Sequence, residues 1–311
     1  MKKIFKALFF TLLLLVASLF LLFGYLDLPI EELKAKYAQG SSQFVEIENM
    51  QVHYRDEGNP LDSLPIVLIH GTGSSLHTFD VWTSTLKNER RVFRMDLPGF
   101  GLTGPFLDRN YTMTHYVDFI DQFLSKMNID KCILGGNSLG GQIAWNYTVV
   151  NPEKVNKLIL IDAAGYPLES EEVPIAFAIA RTPIVNQLLT ILTPKFMARA
   201  SVESVYADKS KVTDELVDRY FELTLRAGNR QGLVDRMTSD LEGNQVELIK
   251  TIQQPTLILW GADDLLATTK SAYRFQSDLP NDTLVIMPNV GHVPMEESPE
   301  ESLKILNVFL K

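Results

Sequence analysis

The sequence predicts an α/β fold in which a mostly parallel sheet carries helices on both faces. Short apolar runs, such as residues 65–70 and 157–165, alternate with segments of helical periodicity, such as residues 111–128. Apolar runs of this length suit strands that are buried on both faces. Their alternation with helices is typical of a parallel sheet. Several runs end in glycine-rich or polar loops, which is where open α/β sheets bind ligands.

Composition places the chain among folded globular proteins. Of its 311 residues, 46% are hydrophobic and 22% are charged, which argues against a disordered or collagen-like chain. Cys132 is the single cysteine, so an internal disulfide and a zinc site built from several cysteines are excluded. The formal net charge is −9, and nucleic-acid binding is disfavoured because phosphate contacts need clustered positive charge.

Residues 1–30 are predicted to form a signal anchor with one transmembrane helix. Three lysines lie within the first six residues, and residues 7–23 contain no charge. The stretch Ile4–Leu26 has 23 residues, and about 20 apolar residues suffice to span a bilayer. The alternative is a cleaved signal peptide, which has a shorter apolar region and a small-x-small cleavage site. No clean site of that kind follows Phe23.

The lysines also predict the orientation of the chain. Because positive charge stays on the cytoplasmic side, the N terminus is expected in the cytoplasm. The folded remainder is then expected to be extracytoplasmic, either periplasmic or extracellular, and it would be secreted if the segment is cleaved. Residues 31–43 contain charged side chains followed by a Gly-Ser-Ser sequence, and they are predicted to be a linker.

The folded part is predicted to be a core interrupted by one insertion. Residues 44–165 and 251–311 contain the strand and helix patterns, beginning with an alternating segment that predicts a hairpin. Residues 166–250 contain four prolines and charged helical stretches but no strongly β-patterned run. Because this insertion follows the C-terminal end of a strand, it is predicted to be a helical cap over the ligand-binding edge of the sheet. The apolar runs that predict the core strands lie in residues 65–70, 91–101, 132–141, 157–165, 255–264 and 283–292.

The G-x-S-x-G pattern at residues 136–140 predicts a nucleophile at Ser138. An apolar strand precedes the pattern and a helix follows it immediately, so the turn between them must be tight. Small neighbours at Gly136 and Gly140 allow the strained backbone that such a turn imposes, and the serine hydroxyl then projects above the sheet. A serine hydroxyl is a weak nucleophile near neutral pH, so this site needs a base.

His292 is predicted to be that base. It follows the last apolar strand, so a loop at the same sheet edge can bring it to Ser138. The base needs a carboxylate that orients it and stabilises its charged form. Asp264, at the end of the preceding strand, is the preferred candidate, with Asp263 and Asp162 as alternatives. The chain has four other histidines, none of which is preferred as the base: His53, His70, His77 and His115.

An oxyanion hole requires two backbone N–H groups that point at one position. The residue after the nucleophile, Leu139, is expected to supply one of them. The second is expected from the loop after residues 65–70, where Thr72 is the preferred donor and Gly73 is the alternative. The imidazole of His70 is predicted to brace this loop and not to titrate in catalysis.

Five segments in order, HGTGSS, DLPGFG, GNSLGG, WGADD and GH, resemble the α/β-hydrolase family in its branch with a helical cap. The resemblance covers nearly all of the chain beyond the linker, and the chain order Ser, Asp, His matches the family. It implies an α/β-hydrolase fold with Ser138, Asp264 and His292 as the catalytic triad. It also implies Thr72 and Leu139 as the oxyanion donors. Relatives that open epoxides or displace halide use an aspartate nucleophile. The serine at residue 138 therefore disfavours these two reactions.

The expected activity is hydrolysis of carboxylic esters, with an acyl-enzyme formed on Ser138. The predicted membrane location favours hydrophobic or lipid-like esters. Two alternatives stay open: a C–C bond hydrolase of meta-cleavage-product type, which GNSLGG also resembles, and a non-catalytic membrane-anchored binding module. No metal or organic cofactor is expected, because the sequence has no metal-ligand pattern or phosphate loop. The segment DLPGFG at residues 96–101 resembles a structural turn of the family, and it receives no catalytic role.

Overall fold

The computed structural model describes residues 2–167, 173–239 and 245–311, and eight strands within them form one sheet. Short, largely buried segments form the central strands, as expected for chain that is covered on both sides of a sheet, whereas the outer strands are partly exposed. The strands are β1 (Ser42–Ile47), β2 (Met50–Glu57), β3 (Ile66–Ile69), β4 (Val92–Met95), β5 (Cys132–Asn137), β6 (Val155–Ile161), β7 (Thr256–Gly261) and β8 (Asp282–Met287).

Helices precede the first strand, connect most of the later strands and follow the last one. They are α1 (Lys2–Phe23), α2 (Ile30–Tyr37), α3 (Asp80–Leu86), α4 (Met113–Lys126), α5 (Leu139–Val150), α6 (Ile175–Arg181), α7 (Asn186–Leu189), α8 (Lys195–Glu203), α9 (Asp214–Thr224), α10 (Asn229–Thr238), α11 (Thr269–Asp278), α12 (Pro294–Glu297) and α13 (Pro299–Leu310). Short 3-10 turns cover Leu76–Phe79, Pro152–Lys154, Lys209–Lys211 and Val246–Thr251.

The sheet confirms the predicted α/β architecture. Its strand order is β1-β2-β4-β3-β5-β6-β7-β8. The pairs β1–β2 and β2–β4 are antiparallel, and every later pair is parallel. The carboxyl ends of β3, β5, β6, β7 and β8 therefore meet at one edge of the sheet. The predicted catalytic residues follow these ends, so the topology gathers them there.

Alternating side chains along each parallel strand build a core on both faces of the sheet. Val67 and Ile69 of β3 belong to the cluster that α4, α5 and α11 cover. Ile66 and Leu68 of the same strand belong to the cluster that α3 and α13 cover. This alternation follows from the two-residue period of a strand, and it confirms the predicted layer of helices on each face.

Asp96, the first residue of the DLPGFG segment, is fully buried, and its carboxylate is the structural centre of this turn. Its carboxylate accepts hydrogen bonds from Nδ1 of His53 at 2.7 Å and from the backbone N–H groups of Leu76 at 2.7 Å and Leu102 at 2.8 Å. Gly101 has φ of 53°, and a Cβ there would lie 2.2 Å from this carboxylate. The turn therefore needs glycine at that position, and it serves the fold rather than the chemistry.

The residues between β6 and β7 form helices α6 to α10. They account for most of the predicted cap at residues 166–250, of which residues 168–172 and 240–244 lie outside the described residues. We call helices α6 to α10 with their connections the cap. The cap contacts the loop before α12, because the backbone N–H of His292 donates to the carbonyl of Val205 at 2.8 Å.

Helix α1 covers much of the segment that the sequence predicts as a transmembrane helix. It begins at Lys2 and ends at Phe23, and lysines occupy its first turns. Its uncharged part, residues 7–23, has 17 residues. At a rise of 1.5 Å per residue this part covers about 26 Å, less than a hydrocarbon core of about 30 Å. Within the part of the chain that the structure describes, no helix is long and apolar enough to cross a membrane, so the predicted transmembrane helix is not supported.

Residues 24–28, which we call the N-terminal strap, leave α1 and run along the cap. Gly24 forms an antiparallel bridge with Leu192, and the backbone N–H of Leu28 donates to the carbonyl of Leu225 at 2.8 Å. The N–H of Gly24 still donates to the carbonyl of Phe20 at 2.9 Å, but the N–H groups of Tyr25 and Leu28 donate to the cap instead of continuing the helix. This pairing explains why α1 ends where the apolar sequence still continues.

Residues 31–43, predicted as a linker, contain most of α2, which packs on the folded part. Leu33 of α2 is 1% exposed, and it clusters with Leu102 and Leu223. The hydroxyl of Tyr37 donates to the carboxylate of Glu222 at 2.8 Å. Both contacts fix the N-terminal segment against the cap helix α9.

Candidate active site

Ser138 lies at the tight turn between β5 and α5. Its backbone has φ of 53° and ψ of −115°, a left-handed conformation that is strained for any residue but glycine. Gly140 makes the turn possible, because a Cβ there would lie 2.1 Å from the carbonyl oxygen of Ile69. The strand, the strained turn and the helix are the arrangement that the G-x-S-x-G pattern predicts.

His292 and Asp264 form a buried, hydrogen-bonded pair. Nδ1 of His292 donates to Oδ2 of Asp264 at 2.6 Å. The other carboxylate oxygen, Oδ1, accepts the backbone N–H groups of Leu266 at 2.8 Å and Ala267 at 2.9 Å. Nε2 of the imidazole is buried without a hydrogen-bond partner in the described residues. The carboxylate is therefore fixed, and the ring keeps one nitrogen free for proton transfer.

The structure separates the three candidate carboxylates. Asp264 contacts the imidazole of His292 directly. Asp263 is exposed at the surface. Asp162 is buried, but its Oδ1 accepts the backbone N–H of Gly261 at 2.9 Å and it makes no hydrogen bond to the ring.

The loop after β3 packs directly against the serine. A Cβ placed on Gly71 would lie 2.9 Å from Oδ1 of Asn137 and 3.1 Å from Cβ of Ser138, so glycine lets the loop approach without displacing these side chains. Thr72 and Gly73 line the same cavity as the serine. Leu139 begins α5, where the first N–H groups of a helix have no intrahelical acceptor. The predicted oxyanion donors therefore lie on the two segments that flank the serine.

A cavity opens above the sheet edge between core and cap, and residues of both line it. Ser138 and His292 line its floor, and mostly apolar side chains of the cap form its walls. The apolar cap residues include Ala176, Phe177, Leu189, Met197, Ala198 and Val202.

Comparison with known proteins identifies the family. The alpha/beta hydrolase fold family matches residues 65–299, which is more than half of the chain. The chain belongs to the α/β-hydrolase family. This assignment confirms the resemblance that the five sequence segments carry.

Several relatives of this α/β hydrolase have described activities. A 2-hydroxy-6-oxo-6-(2'-aminophenyl)hexa-2,4-dienoic acid hydrolase from Metapseudomonas resinovorans is 28% identical over 276 residues, which cover 86% of this chain and 90% of the relative. The solved meta-cleavage product hydrolase from Pseudomonas fluorescens IP01 is 25% identical, with a TM-score of 0.74 over 87% of this chain and 97% of that chain. A solved membrane phospholipase A, described as a bacterial virulence factor, is 26% identical, with a TM-score of 0.72 over 100% of this chain and 98% of that chain.

The other histidines of the α/β hydrolase have structural contacts. Nδ1 of His70 donates to the carbonyl of Gly71 at 2.7 Å and its Nε2 accepts the N–H of Leu97 at 2.9 Å, so the ring braces the loop as predicted. Burial lowers the pKa of His70. Burial also lowers the pKa of His77 to about 4, and that ring contacts the carbonyl of Tyr37 at 3.0 Å. The remaining two bind carboxylates: His53 contacts Asp96, and His115 contacts Glu48.

Asn137 is a site residue that the sequence analysis did not identify. It occupies a variable position of the G-x-S-x-G pattern, and its side-chain amide donates to the backbone carbonyl of His292 at 2.9 Å and to that of Ile161 at 3.2 Å. It thereby ties the histidine loop to β5 and β6. A polar residue at the end of an otherwise apolar strand was the available signal.

Glu297 is a second such residue. Its carboxylate accepts the backbone N–H of Gly291 at 2.6 Å, of Asp208 at 2.7 Å and of Ala207 at 3.2 Å. The first belongs to the loop of His292 and the other two belong to the cap. One carboxylate therefore holds the histidine loop and the cap together, an arrangement that no local sequence pattern shows.

One acidic and histidine cluster of the described residues has the spacing of a metal site. It consists of Asp162, Asp264 and His292, whose ligand atoms lie within 4.8 Å of one another. However, Nδ1 of the ring and both oxygens of Asp264 already make hydrogen bonds. The geometry therefore suits a hydrogen-bonded acid–base group better than a metal centre.

Proposed function

We propose that this α/β hydrolase is a serine hydrolase that cleaves carboxylic esters of hydrophobic acids. The observation that carries the proposal is the position of Ser138, which lies at a strained strand-to-helix turn and lines the same cavity as His292, whose imidazole is paired with Asp264. Nucleophile, base and carboxylate of this type perform acyl transfer on several unrelated folds.

The proposed reaction has two acyl-transfer steps. Nε2 of His292 takes the proton of Ser138 as Oγ attacks the ester carbonyl, while Asp264 holds the ring and stabilises the imidazolium. The N–H groups of Leu139 and Thr72 stabilise the oxyanion. The imidazolium then gives its proton to the leaving alcohol. Water repeats the attack on the acyl-enzyme, which releases the acid and restores the serine.

The character of the cavity supports a hydrophobic acyl group. Its cap walls are mostly apolar, and Arg230 is its basic side chain besides His292 among the described residues. This guanidinium already donates to the carboxylate of Asp27 at 2.7 Å and to the carbonyl of Tyr25 at 2.9 Å. An ion pair with the N-terminal strap leaves little free positive charge for an acidic substrate. The membrane phospholipase A, which aligns with the whole chain, supports a lipid-like ester.

The second candidate is hydrolysis of a C–C bond in a meta-cleavage product. Relatives named as hydrolases of 2-hydroxy-6-oxo dienoic acids favour it. The same nucleophile and base would serve, but the leaving group would be a carbon acid instead of an alcohol. Such substrates carry a carboxylate, and the ion pair between Arg230 and Asp27 disfavours binding it in this cavity.

A comparison of two substrate sets tests the proposal. Hydrolysis of p-nitrophenyl esters with acyl chains of graded length is expected, with a maximum of kcat/KM at medium or long chains. Turnover of a 2-hydroxy-6-oxo-dienoate without ester turnover would select the C–C hydrolase. A fluorophosphonate probe is expected to label Ser138 in either case. No labelling and no turnover would indicate a non-catalytic binding module.

Narrowing the cavity is expected to change chain-length preference. Ala198 of α8 lines the cavity, so Ala198→Phe should occupy space that a long acyl chain fills. We expect kcat/KM for long-chain p-nitrophenyl esters to fall by roughly 10-fold or more, while short-chain esters are hydrolysed nearly as before. Ala200→Phe is the matched control, because Ala200 lies on the same helix and is exposed. An equal loss for all chain lengths would contradict the assignment of the cap wall as an acyl pocket.

We also propose that α1 attaches the enzyme to a membrane. Its described apolar side chains are largely exposed; Leu8 is 64% exposed and Leu14 is 67% exposed. A position of the catalytic residues outside the cytoplasm stays a prediction from the N-terminal lysines. The full chain is expected in the membrane fraction after a carbonate wash, and the double variant Leu13→Glu with Leu14→Glu is expected to be released. Equal distribution of both proteins would contradict the proposal.

A further inference from the structure

Asp162 is a buried carboxyl group that the proposed mechanism does not use. It directly follows β6, is fully buried, and has φ of 43°. One of its oxygens lies within 4.8 Å of ligand atoms of both Asp264 and His292. A left-handed conformation in a residue other than glycine costs free energy, so surrounding contacts must hold this side chain beside the triad.

The hydrogen bonds of the two carboxyl groups are unequal. The Asp264 carboxylate accepts three: two backbone N–H groups and Nδ1 of His292. Among the described residues, Asp162 accepts one, from the N–H of Gly261 at 2.9 Å to Oδ1, and its Oδ2 is buried with no hydrogen-bond partner. Hydrogen bonds to the charged form favour ionisation, so the negative charge is more stable on Asp264.

Two carboxyl groups this close in a buried site do not both ionise near neutral pH. Since Asp264 holds the charge, the proton belongs to Asp162, and Oδ2 is the atom that can hold it. Burial and then the charge of Asp264 raise the pKa of Asp162 well above its ordinary value. Glu297, the other carboxylate that acts on it, raises the pKa further. The imidazole of His292 also lies near it, with a ring nitrogen within 4.8 Å of a carboxylate oxygen of Asp162.

We propose that Asp162 is a positioning residue that stays protonated at neutral pH and donates a hydrogen bond from Oδ2 to the carboxylate of Asp264. The proposal rests on the proposed function, because it assigns the partner of the triad carboxylate. The donated bond keeps Asp264 ionised and oriented toward Nδ1 of His292 in every step of the reaction. No proton leaves Asp162 during turnover.

Two substitutions separate the donor from the charge at this position. Asp162→Asn keeps the shape, and its amide can accept from Gly261 and donate to Asp264. Asp162→Leu has a similar volume but cannot donate. We expect the Asn variant to keep kcat within about 3-fold of the wild-type value, while the Leu variant loses roughly 10-fold or more at little-changed KM. Asp263→Asn, at the exposed neighbour of Asp264, is the control and should match the wild type.

The pH profile gives a readout that packing alone would not change. The acid limb of kcat/KM reports the base of the free enzyme, here His292. If Asp162 is neutral, Asp162→Asn removes no charge and the apparent pKa of that limb stays the same. If Asp162 were charged, its removal would lower that pKa by about one unit, since a nearby negative charge stabilises the imidazolium. Such a shift, or a Leu variant as active as the wild type, would overturn the proposal.

Infrared difference spectroscopy tests the proton without any activity. The wild-type spectrum minus the Asp162→Asn spectrum at neutral pH should contain the C=O stretch of a protonated carboxylic acid. Its absence would overturn the proposal even if the protein hydrolyses esters. If fluorophosphonate labelling and ester turnover both fail while the band is present, the proposed function fails and the protonated state of Asp162 stands. The Asn variant decides the question if the Leu variant does not fold.

Discussion

Ser138→Ala is expected to lower kcat for ester hydrolysis by roughly 10⁴-fold to 10⁶-fold, the range typical of losing a triad nucleophile. The proposed acyl-enzyme forms on Oγ of this serine, so the variant has no atom with which to make the covalent intermediate. Apolar binding in the cavity is unchanged, and KM should therefore change little. Fluorophosphonate labelling should disappear at the same time.

The measurement is steady-state hydrolysis of a p-nitrophenyl ester, with burst kinetics to detect the acyl-enzyme. Ser201→Ala is the matched control, because Ser201 lines the same cavity but lies on the cap helix α8. It should keep near-normal turnover and full labelling. If Ser138→Ala keeps more than about 1% of wild-type kcat, another nucleophile performs the reaction and the triad assignment is wrong.

The position of the site could be predicted because strand ends are visible in the sequence. Ser138, Asp264 and His292 each follow an apolar run, and the carboxyl ends of parallel strands meet at one edge of the sheet. The residues that hold these three in place could not be predicted in the same way. Asn137 and Glu297 act by donating to or accepting from backbone groups far along the chain, and such bonds have no local signature. Their roles follow only from tertiary proximity.

The protonation state of Asp162 could not be predicted from the sequence either. The sequence presents three acidic residues after neighbouring strands, Asp162, Asp263 and Asp264, and all of them fit the place of a triad acid. Which of them receives the imidazole depends on the loop that carries His292 and on the backbone N–H groups that turn toward each carboxyl. Strand patterns predict where each acidic residue lies in the sheet. Whether its carboxyl group is protonated depends on the hydrogen bonds and charges around it.

In the N-terminal segment, the sequence pattern did not predict where the helix ends. Hydropathy treats Gly24 and Leu26 as a continuation of the apolar run, but the helix ends at Phe23. The reason is tertiary, because the backbone of Gly24 pairs with Leu192 and the N–H of Tyr25 donates to Ile191. A pattern based on residue type alone extends the helix over residues that are bound to the cap.

Asp96→Asn is expected to cause the largest loss of stability among single substitutions away from the catalytic residues. The carboxylate is fully buried and accepts from His53 and from two backbone N–H groups. Asparagine offers one acceptor oxygen. Its NH₂ group would face one of the N–H donors that the carboxylate now accepts. Breaking one partner of a buried, hydrogen-bonded pair costs about 3–5 kcal/mol, and we expect a decrease of that size in the free energy of unfolding.

Urea unfolding near pH 7 measures this decrease, with Asp56→Asn as the control. Asp56 contacts Arg91 at 2.7 Å, but both side chains are partly exposed. A pair of that kind contributes about 0–1 kcal/mol, so the control should change stability little. Equal effects of the two substitutions would show that the Asp96 carboxylate is not a structural centre.

The pH dependence of stability separates the charge of Asp96 from its packing. Burial opposes ionisation, but the charge and hydrogen bond of His53, with His70 and His77 nearby, hold the pKa of Asp96 well below its usual range. A carboxyl whose folded pKa is depressed contributes stability above its unfolded pKa of about 3.9, and that contribution is lost as the pH falls toward the folded value. The stability difference between wild type and Asp96→Asn should therefore shrink as the pH falls below about 4. A difference that persists unchanged into that acid range would mean that shape, and not the charge on the carboxylate, holds this turn in place.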